Sequence, residues 1–478
     1  MLFPSYWSEA GRDNWFVIGL NYPGIPHSGR GGYHLGPNQI MNHDDNQVTS
    51  RTLDALQQDF RRIRNMGGHV VRMWAFTQGQ GIRWTISGDN WIVQGLDPSF
   101  RENVIEITRR AELESVKIYW TLFNGGDFID DTTRALSRRM KRAFLAILED
   151  EPSGSRRRPV TDTLLPDFMS AIELHRDGVF AVDLMNEPDC LWPDSIVADM
   201  RELYSLSTSQ IWLLRARLFF DSSANDPQLY MSFLRECASA VHGDDPSSPR
   251  MPVSVGCCRF NSVRMLIREL DSDLDFYDYH HYNHLDVSDA GLLPLPRWDM
   301  IHSTKPCLIG EFGLCGEFQK EYMGMSFTDA FRRGRPSSQP RPRLPLELLQ
   351  PLLPVRVAHR PSPVALEELF DAQANCVNNV MFGAYERGYG GCLVWEYGKQ
   401  YTNQENDYSP YVPRRLDAAA GWGDRHFITW TPDPSIHVPA CFDYRFDPSD
   451  GRLLGRPAVP EIVAIAEEHR AAGRCPPL

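Results

Sequence analysis

No stretch of this chain reaches the roughly 18 uninterrupted apolar residues that a membrane span requires, so no membrane partner is expected. The N-terminus, Met1 to Ala10, has no basic region and no long apolar run. It does not read as a secretion signal, and a reducing, cytoplasmic location is the expectation. Positive charge is in deficit. Lys and Arg number 49 against 62 Asp and Glu, a net charge of −13, which argues against a nucleic-acid partner. Ten cysteines in 478 residues are too few for a disulfide scaffold, and none stand at a CxxC spacing that would suggest zinc. The pair Cys257-Cys258 lies in an apolar stretch and reads as core. No Gly-rich phosphate loop follows the first apolar strand, which weakens a dinucleotide-binding reading. No solenoid-length repeat is present. No metal and no cofactor are expected.

What is present is enough apolar material for a sizeable core: 42% hydrophobic and 11% aromatic. Twelve Trp and 17 Tyr are many, and such side chains often line sugar sites, although most of them pack. The length suits one large α/β barrel with insertions. Short apolar runs predict strands at 15–21, 69–76, 116–123, 179–186, 251–258, 274–283, 305–313 and 390–397. Between them, helical spacing predicts helices at 53–66 (capped by Thr52), 98–115, 133–149, 164–175, 228–242, 262–270, 366–387 and 460–471. Residues 24–46 and 77–98 read as loops, and 151–161 as a basic surface loop. Strands alternating with helices imply a parallel sheet, and eight of them favour a closed (β/α)8 TIM barrel. The whole chain, 1–478, is expected to be one such domain. Long insertions follow strands four, seven and eight, at 192–230, 314–365 and 399–457; the Pro- and Arg-rich part of the second, 334–363, reads as exposed.

In a barrel of this kind the C-terminal strand ends converge on one mouth. Strand two delivers Arg72 and Trp74, strand three Asn124, strand four Asn186 and Glu187. Strand six delivers His280, His281 and Tyr282, strand seven Glu311, and strand eight Trp395 and Glu396. Neighbouring strand residues face opposite ways, so one of His280 and His281 is structural, and of Trp395 and Glu396 the tryptophan is the favoured mouth residue. Glu187 and Glu311 then face each other across the barrel. Two carboxyl groups about 5–5.5 Å apart are what retaining glycosidic cleavage requires, one to protonate the leaving oxygen and one to attack the anomeric carbon. Arg72 would keep one carboxylate ionised, His280 and Tyr282 could hydrogen-bond it, and Trp395 offers a flat face for a sugar ring. Each has a plainer reading: Arg72 as an interior ion pair, Trp74 and Trp120 as core layers, Asn186-Glu187-Pro188 as an ordinary turn.

The pieces Val71-Arg72-Met73-Trp74-Ala75-Phe76, Leu184-Met185-Asn186-Glu187-Pro188, His280-His281-Tyr282, Lys305 to Gly313 and Trp395 together resemble glycoside hydrolase family 5. Among its members they look most like the endo-β-1,4-mannanases. The resemblance implies Glu187 as acid/base and Glu311 as nucleophile, with retention of anomeric configuration. It also implies Asn186 on the sugar 2-hydroxyl, Arg72, His280 and Tyr282 around the nucleophile, and Trp395 as stacking platform, with Trp74 and Asn124 nearby. The implied substrate is a β-linked mannan- or glucan-type polysaccharide or oligosaccharide. The chain departs from the family pattern in two places: no Asn-Gly hairpin leads into strand one, and strand eight ends Trp395-Glu396-Tyr397 rather than in the commoner Trp-Gln or Trp-Ser.

Four other readings compete. The long loops would make an exo-acting β-glycosidase if they blocked the cleft. A cellulase-type glucanase of the same clan fits the same motifs. A metallohydrolase built on His280, His281 and His284 lacks a His-x-His on strand one. A catalytically silent carbohydrate-binding barrel would bind without turnover.

Overall fold

In the computed structural model eight parallel strands close into a barrel in the order β1-β8-β7-β6-β5-β4-β3-β2. They are β1 (Val17–Asn21), β2 (Val70–Trp74), β3 (Lys117–Asn124), β4 (Val179–Asn186), β5 (Val253–Cys257), β6 (Tyr277–His281), β7 (Cys307–Phe312) and β8 (Gly391–Val394). The structure describes residues 16–22, 41–42, 47–48, 50–87, 90–128, 138–192, 226–243, 250–281, 295–301, 303–313, 377–394, 444–446, 453–455 and 458–474. Tyr282, Trp395 and Glu396 lie outside these, as do nearly all of the three expected insertions and residues 366–376 of a predicted helix. Among the described residues no helix is long and apolar enough to cross a membrane.

Helices α1 (Ser50–Asn65), α2 (Pro98–Leu113), α3 (Arg138–Glu149), α4 (Leu165–Ile172), α5 (Pro227–His242), α6 (Phe260–Leu270) and α7 (Ala458–Ala471) accompany the strands. A further helix runs over 377–386. Their starts are written locally. Asp97 accepts a hydrogen bond from the Phe100 amide at 3.0 Å with Pro98 opening α2, and Asp226 does the same for Gln228 at 2.9 Å with Pro227 opening α5. A side-chain cap plus proline in the first turn satisfies one orphan N–H and removes another.

Two apolar layers result. Val17, Val70, Tyr119, Phe180, Phe276 and Leu308 form a buried cluster of their own, the floor inside the barrel. A much larger cluster lies between strands and helices, where Phe76 meets Phe100, Phe123 and Phe168. Truncating such a phenylalanine to alanine typically costs about 3–5 kcal/mol.

Three local expectations are corrected. The segment 77–98 is not a plain loop: Ile82–Ser87 and Asn90–Leu96 pair as an antiparallel hairpin. The basic stretch 151–161 is not simply a surface loop. Arg157 is fully buried and donates to the carbonyls of Ile147 and Leu148 and to Ser232 Oγ, because its guanidinium closes carbonyls that α3 leaves open at its end. Helix α1 begins at Ser50, so Thr52 lies inside its first turn rather than capping it.

Candidate active site

Arg72 is the centre of the mouth. Its side chain is fully buried. Nη1 donates to Asn21 Oδ1 at 3.2 Å and to Glu311 Oε1; Nη2 donates to Asp183 Oδ2 at 2.6 Å and Asn186 Oδ1 at 2.9 Å. One guanidinium therefore ties β1, β2, β4 and β7 together. Burial alone would depress its pKa, but Asp183, Glu311 and Asp278 outweigh that and raise it, so the cation is permanent. Its face lies over the Trp74 ring at 4.7 Å. Trp74 is itself fully buried, so its place is beneath Arg72.

Glu311 reaches this mouth through a bulge. Leu308 belongs to the floor cluster, and a Cβ on Gly310 would point into the barrel at Asp278. Strict alternation would therefore turn residue 311 outward. The register between β6 and β7 instead slips, pairing Tyr279 with Ile309 but His280 with Glu311. The extra residue turns the Glu311 side chain inward, as a β-bulge does.

Glu187 arrives differently. It follows the last residue of β4 with φ 47° and ψ 51°, a left-handed conformation uncommon for a residue with a side chain. Such a residue costs about 1–3 kcal/mol and is kept only where its surroundings impose it. Here its amide donates to Gly256 O at 2.7 Å. Gly125 on the next strand end makes room, since a Cβ there would lie 2.5 Å from the Glu187 carbonyl oxygen. Pro188 starts a short 3-10 turn. Asp189 in that turn is buried and accepts from the amides of Cys258 (2.9 Å) and Arg259 (3.0 Å), fastening the turn to the end of β5. Burial raises the Asp189 pKa against the pull of Arg259.

The two glutamates meet at His280. Its Nδ1 lies 2.8 Å from Glu187 Oε1 and 3.6 Å from Glu311 Oε2. One carboxylate oxygen of each glutamate and a His280 nitrogen all fall within 4.8 Å of one another. Glu187 Oε1 is hydrogen-bonded to His280, and Glu311 Oε1 accepts from Arg72. Burial would lower the His280 pKa, but the Glu311 charge and the Glu187 hydrogen bond prevail and raise it to about 9. His280 is therefore an imidazolium at neutral pH. His281 turns the other way, with Nδ1 3.1 Å from the Tyr279 hydroxyl, so the two neighbouring histidines do not converge. Asn186 Nδ2 donates to Asn124 Oδ1 at 3.1 Å, which orients its amide.

Glu187, Glu311, Arg72, Asn124, Asn186 and His280 are thus brought to one place. Three participants were not singled out from the sequence. Asp183 accepts from Arg72, from Thr121 Oγ1 at 3.0 Å and from the amides of Met185 and Gly256. Asn21 donates to Gly310 O at 2.8 Å, linking β1 to the bulge. Asp278 accepts from the Tyr119 hydroxyl at 2.9 Å. For Asp183 the available signal was a single charged residue inside an otherwise apolar strand, which is costly unless paired.

No family model matches the chain, and no curated protein matches it either. Solved structures similar to it include a β-mannanase from the blue mussel Mytilus edulis, 17% identical, with 80% of this chain and 87% of that chain covered at a TM-score of 0.46. A β-1,4-D-mannanase from Cryptopygus antarcticus is 16% identical over 83% of this chain and 86% of that one, TM-score 0.47. A glycoside hydrolase family 5 mannosidase from Rhizomucor miehei is 14% identical over 96% and 94%, TM-score 0.44. At these identities no activity passes from those proteins to this chain.

Proposed function

We propose that this protein is a retaining β-glycoside hydrolase with Glu187 as acid/base and Glu311 as nucleophile. The observation that carries the reading is the meeting of the two carboxylates, with an oxygen of each within 4.8 Å at the C-terminal ends of β4 and β7. That separation suits direct attack and leaves no room for the intervening water of an inverting site.

In the first step Glu311 attacks the anomeric carbon. A glycosyl–enzyme ester forms as the glycosidic C–O bond breaks, and Glu187 gives its proton to the leaving oxygen. In the second, Glu187 takes a proton from water as the water displaces Glu311 and frees the sugar with its original configuration. Arg72 donates to one Glu311 oxygen and fixes it. The Asn186 amide, oriented by Asn124 and Arg72, is proposed to bind the sugar 2-hydroxyl. Tyr282 and Trp395 are proposed to contact the nucleophile and the sugar face.

The Arg72-x-Trp74-Ala75-Phe76 and Leu184-Met185-Asn186-Glu187-Pro188 strands favour a mannan-type substrate and a mannan endo-1,4-β-mannosidase-like activity. The test is a hydrolysis screen on mannan, glucomannan, cellulose and aryl β-glycosides, with product lengths and product anomer followed by NMR. Short mannan fragments released first as the β-anomer are expected. Inversion, or no hydrolysis of any β-glycoside, would overturn the reading.

A further inference from the structure

One ring nitrogen of His280, Nδ1, lies 2.8 Å from Glu187 Oε1. The other, Nε2, faces down the barrel interior and lies 3.8 Å from Asp278 Oδ1. Neither atom has a hydrogen-bond partner among the described residues, and neither side chain is reached by solvent. The two residues alternate along β6, so both face inward. Two glycines clear the space they fill. A Cβ on Gly310 would lie 1.9 Å from Asp278 Oδ1, and one on Gly256 would lie 2.8 Å from His280 Nε2. The other Asp278 oxygen is taken by the Tyr119 hydroxyl, so Oδ1 is the one turned to the imidazole.

The charge balance around the pair points the same way. Asp183 and Glu187 come from β4 and its end, Asp278 from β6, Glu311 from β7; Arg72 from β2 and Tyr119 from β3 complete the surroundings, and β5 presents Gly256. Four carboxyl groups stand around one guanidinium and one imidazole. Among the described residues, a neutral His280 would leave the guanidinium as the sole cation beside these four carboxyl groups, an imbalance that burial makes costly.

We propose that Asp278 is a positioning residue for the acid/base: its carboxylate holds His280 doubly protonated and so keeps an Nδ1–H donor aimed at Glu187. This rests on the reading of Glu187 given above. A carboxylate only accepts, so it selects a proton on Nε2, and Nδ1–H then requires the imidazolium. Nδ1–H donates to Glu187 Oε1, leaving the second oxygen to carry the catalytic proton. When that proton goes to the leaving group, the carboxylate formed is already hydrogen-bonded by a cation. The proton returns from water in the second step, and the proton counts of His280 and Asp278 do not change. The upward shift of His280 agrees with this. Asp278 also titrates above its ordinary range, because it is buried, but His280 and Arg72 both pull it back.

The experiment is Asp278→Asn in the full chain, with Asp278→Ser as a second neutral variant should the first fold poorly. The His280 ring is titrated by NMR in labelled protein. kcat/KM is measured against pH on an oligosaccharide and on a dinitrophenyl β-glycoside, whose leaving group needs no proton. The His280 titration is expected to fall by about one pH unit or more. Oligosaccharide kcat/KM is expected to drop about tenfold to a hundredfold with its alkaline limb moved to lower pH, while the activated glycoside stays near wild type. An unchanged His280 titration, or equal losses on both substrates, overturns the proposal. The titration needs no turnover. A wild-type protein inert on every β-glycoside would overturn the functional reading instead, and the two failures are distinguishable.

Discussion

Arg72 and Asp183 stand 2.6 Å apart, and solvent reaches neither side chain. Asp183 lies four residues before Glu187 on β4, so the pair anchors the strand that carries the proposed acid/base to the arginine that holds the proposed nucleophile. The site is a single buried ion network rather than a set of independent side chains.

Arg72→Lys tests that network. A lysine ammonium is a single point donor and cannot fork to Asn21, Glu311, Asp183 and Asn186 together. Stability is expected to fall by about 3 kcal/mol in a urea titration, since a buried acceptor set loses its partner. Displacing the carboxylates by about 1 Å is expected to lower kcat/KM about a hundredfold. Wild-type kinetics in this variant would show that the fork is dispensable.

Glu311→Ala removes the proposed nucleophile. Turnover is expected to become undetectable, with partial recovery on an activated aryl β-glycoside in azide or formate, giving a product of inverted configuration. Glu187→Ala is expected to spare the first step on the same activated substrate. Residual wild-type turnover in Glu311→Ala would place the nucleophile elsewhere.

Gly310→Ala puts a methyl group into the Asp278 carboxylate, 1.9 Å from Oδ1. The bulge that turns Glu311 inward sits at the same place. Overpacking of this kind is expected to cost about 1–3 kcal/mol and to lower kcat more than it raises KM. Adding Asp278→Ala should recover part of the stability. A strictly additive double variant, measured by thermal unfolding, would rule the clash out.

Stability against pH is expected to peak near the ordinary histidine value of 6.5. His280 titrates at about 9 in the folded protein, so its contribution is complete below 6.5 and is lost as pH rises through 9. His69 is the opposite case. Burial lowers its pKa to about 4, with Arg470 and Lys117 adding to the shift and a Gly67 backbone bond opposing it. Its contribution is present above 6.5 and lost as pH falls toward 4. Urea midpoints between pH 4 and pH 9 check both arms. His69→Gln should flatten only the acid arm and His280→Asn only the alkaline one.

Much of the fold was legible because its strands are near-continuous apolar runs between turn signals. Val179 to Met185 and Cys307 to Ile309 are buried on both faces, as barrel strands must be. The hairpin at 82–96 is not read from the sequence: Ile82, Trp84 and Ile86 alternate with polar residues, but the polar composition of the segment gives a loop assignment. The burial of Arg157 was not legible. A basic run gives no sign of which cation turns inward, since that depends on carbonyls left open on another segment.

By itself the sequence determined eight strands, their order along the chain, and the presence of carboxylates near the ends of the fourth and seventh. Those properties follow from local pattern and from where each strand stops. Only closure of the barrel decided which groups meet. It set β4 and β7 around one mouth with two strands between them, brought Asn21 and Arg72 to both, and placed Asp278 under His280. The bulge at Gly310 then decided that Glu311 faces in rather than out. Residues 124 positions apart come within one hydrogen-bond network here (187 to 311), and no local propensity encodes that distance. It is fixed by the register of neighbouring strands and by the charges that burial forces to pair.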